Sequence, residues 1–196
     1  MRVMGVDPGL ARCGVAVVDG DSRRVTLAAE HLIRTPADLP VGQRLTHVAD
    51  AVAELLSLWT PDVLAIERLL FNANVRSAMI VAQAVGVILV SAARTGVEVF
   101  EYTPTQVKAA VTGHGDADKQ QVKYLIAAQL RVPRGGRSAD VADAAAVALC
   151  HLWTSHDVAA PGGIGGHSTR LAAALEQAEP GAQVVQPAPS ARRGAR

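Results

Sequence analysis

Cysteine is scarce in this 196-residue chain, with only Cys13 and Cys150 present. One falls in a strand-like apolar run and the other in a helix-like stretch, so both read as core fillers rather than as a disulfide or a metal pair. The six histidines are scattered without ligand spacing, which argues against a zinc site. No leader segment is recognisable, and no apolar stretch reads as long enough to span a membrane, so the composition fits a cytoplasmic enzyme. A strong net charge is also missing: at +1, bulk electrostatics does not advertise a nucleic-acid partner. The length suits one α/β core of roughly 150 residues.

Lysine is rarer than arginine, and its placement is informative. All three lysines, Lys108, Lys119 and Lys123, fall within sixteen residues, and Arg131, Arg134 and Arg137 follow. Between Tyr102 and Ala139 the only acids are Asp116 and Asp118. A basic stretch of this kind suits a phosphate backbone, because lysine and arginine contacts supply the salt-sensitive part of nucleic-acid affinity. A solvated helix face with arginine-rich loops is the plainer alternative.

Four carboxylates stand out against this background: Asp7, Glu67, Asp140 and Asp143. Asp7 ends the first apolar run, within a strand, Pro-Gly turn, strand pattern that brings the chain back antiparallel. Gly9 would let the turn approach a phosphate or metal, and Gly14 would ease packing beneath it. Glu67 closes Pro61-Asp-Val-Leu-Ala-Ile-Glu67, whose continuous apolar character suits a strand buried on both faces. A glutamate there is costly without a cation or hydrogen bonds. Arg68 is either its ion-pair partner or a phosphate contact. Asp140 and Asp143 share one face in the first turns of an alanine-rich helix, with Ser138 as N-cap. Acids in a first helical turn are favoured by the macrodipole anyway, so each alone is weak. If the four converge in a poorly solvated cleft, they require divalent cations, and hard oxygen donors favour magnesium over zinc.

The remaining pattern predicts an α/β fold. After the first hairpin comes a third strand around Val25–Ile33, then an amphipathic helix carrying Val41, Leu45, Val48, Val52, Leu55, Leu56 and Trp59. Strand Val63–Glu67, helix Val75–Arg94 and strand Val97–Tyr102 follow, and three more helices begin near Thr105, Asp118 and Ser138. Three antiparallel strands followed by parallel strands joined through a crossover give a mixed five-stranded sheet flanked by helices. The Val75–Arg94 helix is apolar over more than one face, so it is either buried within the monomer or shared with a second subunit.

These stretches together resemble the RuvC family of Holliday-junction endonucleases, within the ribonuclease H-like superfamily. The resemblance runs from Met1 to about Trp153 and rests on an ordered set: Gly5-Val-Asp-Pro-Gly9, Ala65-Ile-Glu67, Asn74-Val-Arg-Ser-Ala-Met79, Phe100-Glu-Tyr-Thr-Pro-Thr-Gln-Val-Lys108 and Ala139-Asp-Val-Ala-Asp-Ala144. It implies a ribonuclease H-like fold and metal-dependent resolution of four-way DNA junctions. It further implies an acidic tetrad of Asp7, Glu67, Asp140 and Asp143 holding two Mg²⁺ per subunit, with Mn²⁺ as a substitute. Lys108 and Lys119 match the family's catalytic basic positions, and Arg68, Arg76, Lys123 and Arg137 are the expected DNA contacts. Family members often carry a base-stacking aromatic a few residues beyond the glutamate. Leu70 aligns with that position here and Phe71 is one residue late, so either side chain is a candidate wedge. A homodimer and docking of the RuvA–RuvB branch-migration complex are the implied assemblies. An actin-like or sugar-kinase ATPase also opens on such a hairpin, but it needs a second hairpin and a second domain.

The domain so read covers residues 1–158. From 159 to 196 the chain turns to Gly, Ala, Pro, Ser and Gln, a composition expected to stay disordered apart from a transient helix over Thr169–Ala178.

Overall fold

A computed structural model describes residues 1–68, 75–115, 118–132 and 138–154. The 159–196 tail therefore lies outside the described residues. Among the described residues ten elements follow one another: β1 Arg2–Asp7, β2 Arg12–Gly20, β3 Val25–Arg34, α1 Val41–Trp59, β4 Val63–Glu67, α2 Val75–Thr95, β5 Glu98–Tyr102, α3 Pro104–Thr112, α4 Lys119–Gln129 and α5 Ala139–Thr154. The strands form one five-stranded sheet in the order β3-β2-β1-β4-β5. β1, β2 and β3 pair antiparallel, whereas β4 lies parallel to β1 and β5 parallel to β4. The predicted mixed sheet is thus the observed one, and β4 keeps its predicted bounds.

Side chains alternate across the sheet with a period of two, so each strand feeds two cores. Val3 and Ala65 face a layer that includes Val107, Val122, Ala145 and Leu149 of α3, α4 and α5. Met4, Val6, Leu64 and Ile66 face the opposite layer, with Val48 and Val52 of α1 and Ile88 of α2. Cys13 and Cys150 are free and buried on opposite faces, as core fillers.

α5 sits unusually close to the sheet, and glycine is the reason. A Cβ on Gly5 would fall 2.1 Å from the Ala144 carbonyl, and one on Gly14 would fall 2.1 Å from the Asp140 carbonyl. Small residues on the helix match small residues on the strands, so eleven of the sixteen α5 residues are buried. The ends of the neighbouring helices are fixed by their own sequences. Thr103 and Gln106 form a capping box at α3, and Asp118 and Gln121 form another at α4.

α2 corrects one expectation. It spans 21 residues and is long and apolar enough to cross a membrane by length and composition. In this fold it packs instead: Ala84, Ile88, Ser91 and Ala92 are buried, and the Ser91 hydroxyl lies within 3.2 Å of the Ala49 carbonyl on α1. Burial inside one chain is incomplete, because Val75, Met79, Ile80 and Val90 remain exposed.

Candidate active site

Asp7 and Glu67 end two adjacent parallel strands, β1 and β4, where side chains can leave the sheet. The α5 start crosses the same sheet end. Gly14 pairs with Asp7 across the β1–β2 ladder and admits the Asp140 backbone at close range, so one register sets both acids.

The electrostatics show that these carboxylates share a neighbourhood. Burial pushes Asp7 up to about 7, and the charges of Asp143, Glu67 and Asp140 add to the rise, while Lys119 opposes it. Glu67 is raised by burial and by Asp143, against the pull of Lys119 and Lys108. Asp143 is raised by burial and by Asp140, with Lys119 and Lys123 lowering it. Asp143 therefore links the strand acids to the helix, and Lys119 acts on all three raised groups. A cleft of about 100 Å³ is lined by Glu67, Asp143, Lys108 and Lys119 above an apolar floor that includes Val107 and Val122.

Asp140 lies in a different setting. Arg12 Nε donates to its Oδ2 at 2.7 Å, Arg12 Nη2 lies 2.7 Å from the same oxygen, and the Ser138 hydroxyl donates to it at 2.8 Å. Arg12 Nη2 also donates to the Ser138 hydroxyl oxygen at 2.8 Å. Burial works against the Asp140 charge, but these bonds outweigh it and hold the group below the usual carboxylate range. Ser138 starts α5 as expected, its carbonyl accepting the Ala142 N–H.

Every candidate ligand is a hard carboxylate oxygen, and the raised proton affinity of Asp7, Glu67 and Asp143 is what a nearby divalent charge relieves. As the side chains stand, no three acids, histidines or cysteines among the described residues are grouped tightly enough to enclose an ion. Like charges in a poorly solvated cleft repel, so shared electrostatics without tight grouping is coherent. The donor chemistry fits a divalent cation, and closing around one requires the carboxylates to draw inward.

Gly9 meets a requirement of its own turn, since a Cβ there would fall 2.2 Å from the Arg12 carbonyl oxygen. One sequence reading changes. Arg68 does not pair with Glu67; its Nε donates to Glu101 on β5 at 3.2 Å, and its backbone N–H donates to the Tyr102 carbonyl. Arg76 is exposed in the first turn of α2, and Lys123 is exposed on α4 beside the acids. Leu70, Phe71 and Arg137 lie outside the described residues. Arg12 was missed, because no spacing rule ties a residue at the start of β2 to an acid 128 positions later.

Residues 3–151 match the family described as crossover junction endodeoxyribonuclease RuvC. The protein of that name from Leifsonia xyli is 46% identical over 198 residues, covering 100% of this chain and 91% of that protein. The one from Rhodococcus opacus is 51% identical over 154 residues, covering 78% and 82% respectively. Among solved structures, Thermus thermophilus RuvC in complex with a Holliday junction substrate superposes with a TM-score of 0.76 at 33% identity, over 79% of this chain and 94% of that one. The chain belongs to the RuvC family of crossover junction endodeoxyribonucleases.

Proposed function

We propose that the chain resolves four-way DNA junctions in homologous recombination and repair. It hydrolyses phosphodiester bonds symmetrically across the crossover and leaves 5′-phosphate and 3′-hydroxyl ends. The observation that carries this reading is the coupled set Asp7, Glu67 and Asp143 beside Lys108 and Lys119 at one sheet end. The solved relative that holds a Holliday junction supports the substrate class.

Metal dependence comes with the family. Asp7, Glu67, Asp140 and Asp143 would hold the metal, as two Mg²⁺ per subunit with Mn²⁺ as a substitute. When bound, such ions lower the pKa of the attacking water and offset charge on the departing 3′ oxygen. The chain's own groups do the rest. Arg12 and Ser138 fix the orientation of Asp140 through its Oδ2. Lys108 and Lys119 offset the charge of the scissile phosphate and of the acids around it. Val107 and Val122 keep the floor of the cleft apolar, which strengthens those interactions. Lys123, Arg68, Arg76 and Arg137, with Leu70 or Phe71 as the stacking wedge, would hold the flanking DNA.

The exposed stripe of Val75, Met79, Ile80 and Val90 on α2 supports a homodimer, and a junction with two symmetry-related strands to cut favours a two-fold enzyme. RuvA–RuvB is the branch-migration partner consistent with that assembly, and a cytoplasmic location is consistent with a DNA substrate of this kind.

The test is nicking of a synthetic four-way junction with Mg²⁺ present and excess linear duplex as competitor. Paired nicks that the duplex does not suppress are expected. Equal cutting of the linear duplex would reduce the reading to a general nuclease. Sedimentation of wild type and Met79→Asp tests the dimer, which the variant should dissociate.

A further inference from the structure

At the opposite end of the sheet from the acids, the β2–β3 hairpin and the end of α4 enclose a hollow of about 690 Å³. Three arginines line it, Arg23, Arg24 and Arg131, together with the polar Thr26 and Gln129, and among the described residues the lining contains no acid. A smaller neighbouring hollow of about 310 Å³ shares Arg23 and Gln129 and adds the half-buried Trp153.

Both sides of the hollow have fixed backbones. Asp21 Oδ1 accepts the N–H groups of Arg23 at 2.7 Å and Arg24 at 2.9 Å, which closes the hairpin turn and leaves one carboxylate charge beside Arg23, against the three arginines of the lining. Opposite, α4 ends with the Arg131 N–H on the Ala128 carbonyl and the Val132 N–H on the Ala127 carbonyl. That pattern puts Arg131 at the left-handed position after the helix, with φ at 54°. Glycine is the favoured residue there, and an arginine is strained by its Cβ. The chain accepts this strain at a residue that contributes no buried packing but completes a cationic hollow.

We propose that this hollow binds the phosphate backbone of a nucleic-acid strand, as a DNA contact separate from the cleavage site. Guanidinium forks match phosphate oxygens in pairs. β1 spans the distance from the hairpin end to Asp7, roughly 17 Å. A strand advances about 3.4 Å per nucleotide, so the contact lies about five nucleotides from the scissile phosphate. The inference rests on the junction-resolving reading only for its choice of strand.

The decisive measurement is junction affinity as a function of salt, by fluorescence anisotropy in EDTA so that no cleavage occurs. Each phosphate contact contributes about 0.9 to the slope of log K against log salt. Replacing Arg23 and Arg24 by Gln and Arg131 by Gly should flatten the slope by about two to three and weaken binding at least tenfold in moderate salt. Turnover at saturating junction should stay at the wild-type value. Arg131→Gly alone should raise Tm while weakening binding, an opposition that a merely structural role cannot produce. An unchanged slope in the triple variant overturns the proposal. So does a result in which inorganic phosphate or an acidic peptide loses affinity for the variant while the junction does not. If wild type fails to nick junctions, the cleavage reading falls, and the slope still decides the hollow.

Discussion

Arg12 and Asp140 are 128 residues apart in the chain, yet the Arg12 Nε donates to the Asp140 carboxylate at 2.7 Å. The pair joins the start of β2 to the first turn of α5. The Arg12 and Ser138 side-chain contacts to Asp140 all fall on Oδ2. Hydrogen-bonded support of a metal-binding carboxylate typically matters more for function than for folding. Arg12→Ala should therefore lower nicking by about 10- to 100-fold at limiting Mg²⁺, with partial recovery as Mg²⁺ is raised. Because the pair is partly exposed, stability should change by no more than about 1 kcal/mol. Wild-type rates at low Mg²⁺ would show that the contact is idle.

Asp7→Asn should abolish cleavage and leave junction binding nearly intact, since affinity rests on the basic surface. It should also diminish the Tm rise that Mg²⁺ gives the wild-type protein. Anisotropy, nicking and thermal melts on one preparation separate these effects, and residual magnesium-dependent cutting would remove Asp7 from the site.

Lys119 acts on Asp7, Glu67 and Asp143 together. Lys119→Ala should depress turnover by about 10²-fold, the scale of a lost charge-stabilising group. Circular dichroism should be unchanged, because the side chain is exposed at the start of α4. Nicking at the wild-type rate would contradict a role at the scissile phosphate.

Gly14→Ala probes the seating of α5. Its Cβ would fall 2.1 Å from the Asp140 carbonyl oxygen, and 2.3 Å from the carbonyl carbon, so backbone must move. Urea unfolding should show a loss of about 1 to 3 kcal/mol or more. Activity should fall further than that loss implies, since α5 carries two of the acids. A stable and fully active variant would mean that the helix tolerates displacement.

His151 gives a pH signature. It is buried, its Nδ1 lies 2.7 Å from the Tyr102 hydroxyl, and its Nε2 has no hydrogen-bond partner among the described residues. Burial lowers its pKa from 6.5 to about 4. A depressed folded-state pKa contributes stability that is fully present above the unfolded value of 6.5 and is lost as pH falls toward 4. Wild type should weaken across that window more steeply than His151→Gln, with the carboxylates contributing equally to both. Parallel pH profiles of Tm would mean that the imidazole is not held neutral.

The legible part of this fold was local. Apolar periodicity marks α1 from Val41 to Trp59 and β4 from Val63 to Glu67, because burial of one face or two leaves a repeating trace along the chain. The strand-end positions of Asp7 and Glu67 are legible for a related reason, since each closes an apolar run with a charge. Partnerships across elements were not legible. Arg68 turns to Glu101 rather than to its neighbour Glu67 because β4 and β5 lie side by side, a fact of register that no local pattern carries. The bond from Arg12 to Asp140 is illegible for the same reason.

The order of elements has a consequence for synthesis. Asp7 and Glu67 emerge early, but the acids that α5 contributes, Asp140 and Asp143, belong to the last of the described elements. A growing polypeptide on the ribosome thus carries the strand acids well before the alanine-rich segment that brings the other two. On the proposed assignment of the site, the nascent chain holds only half of the acids that cleavage needs.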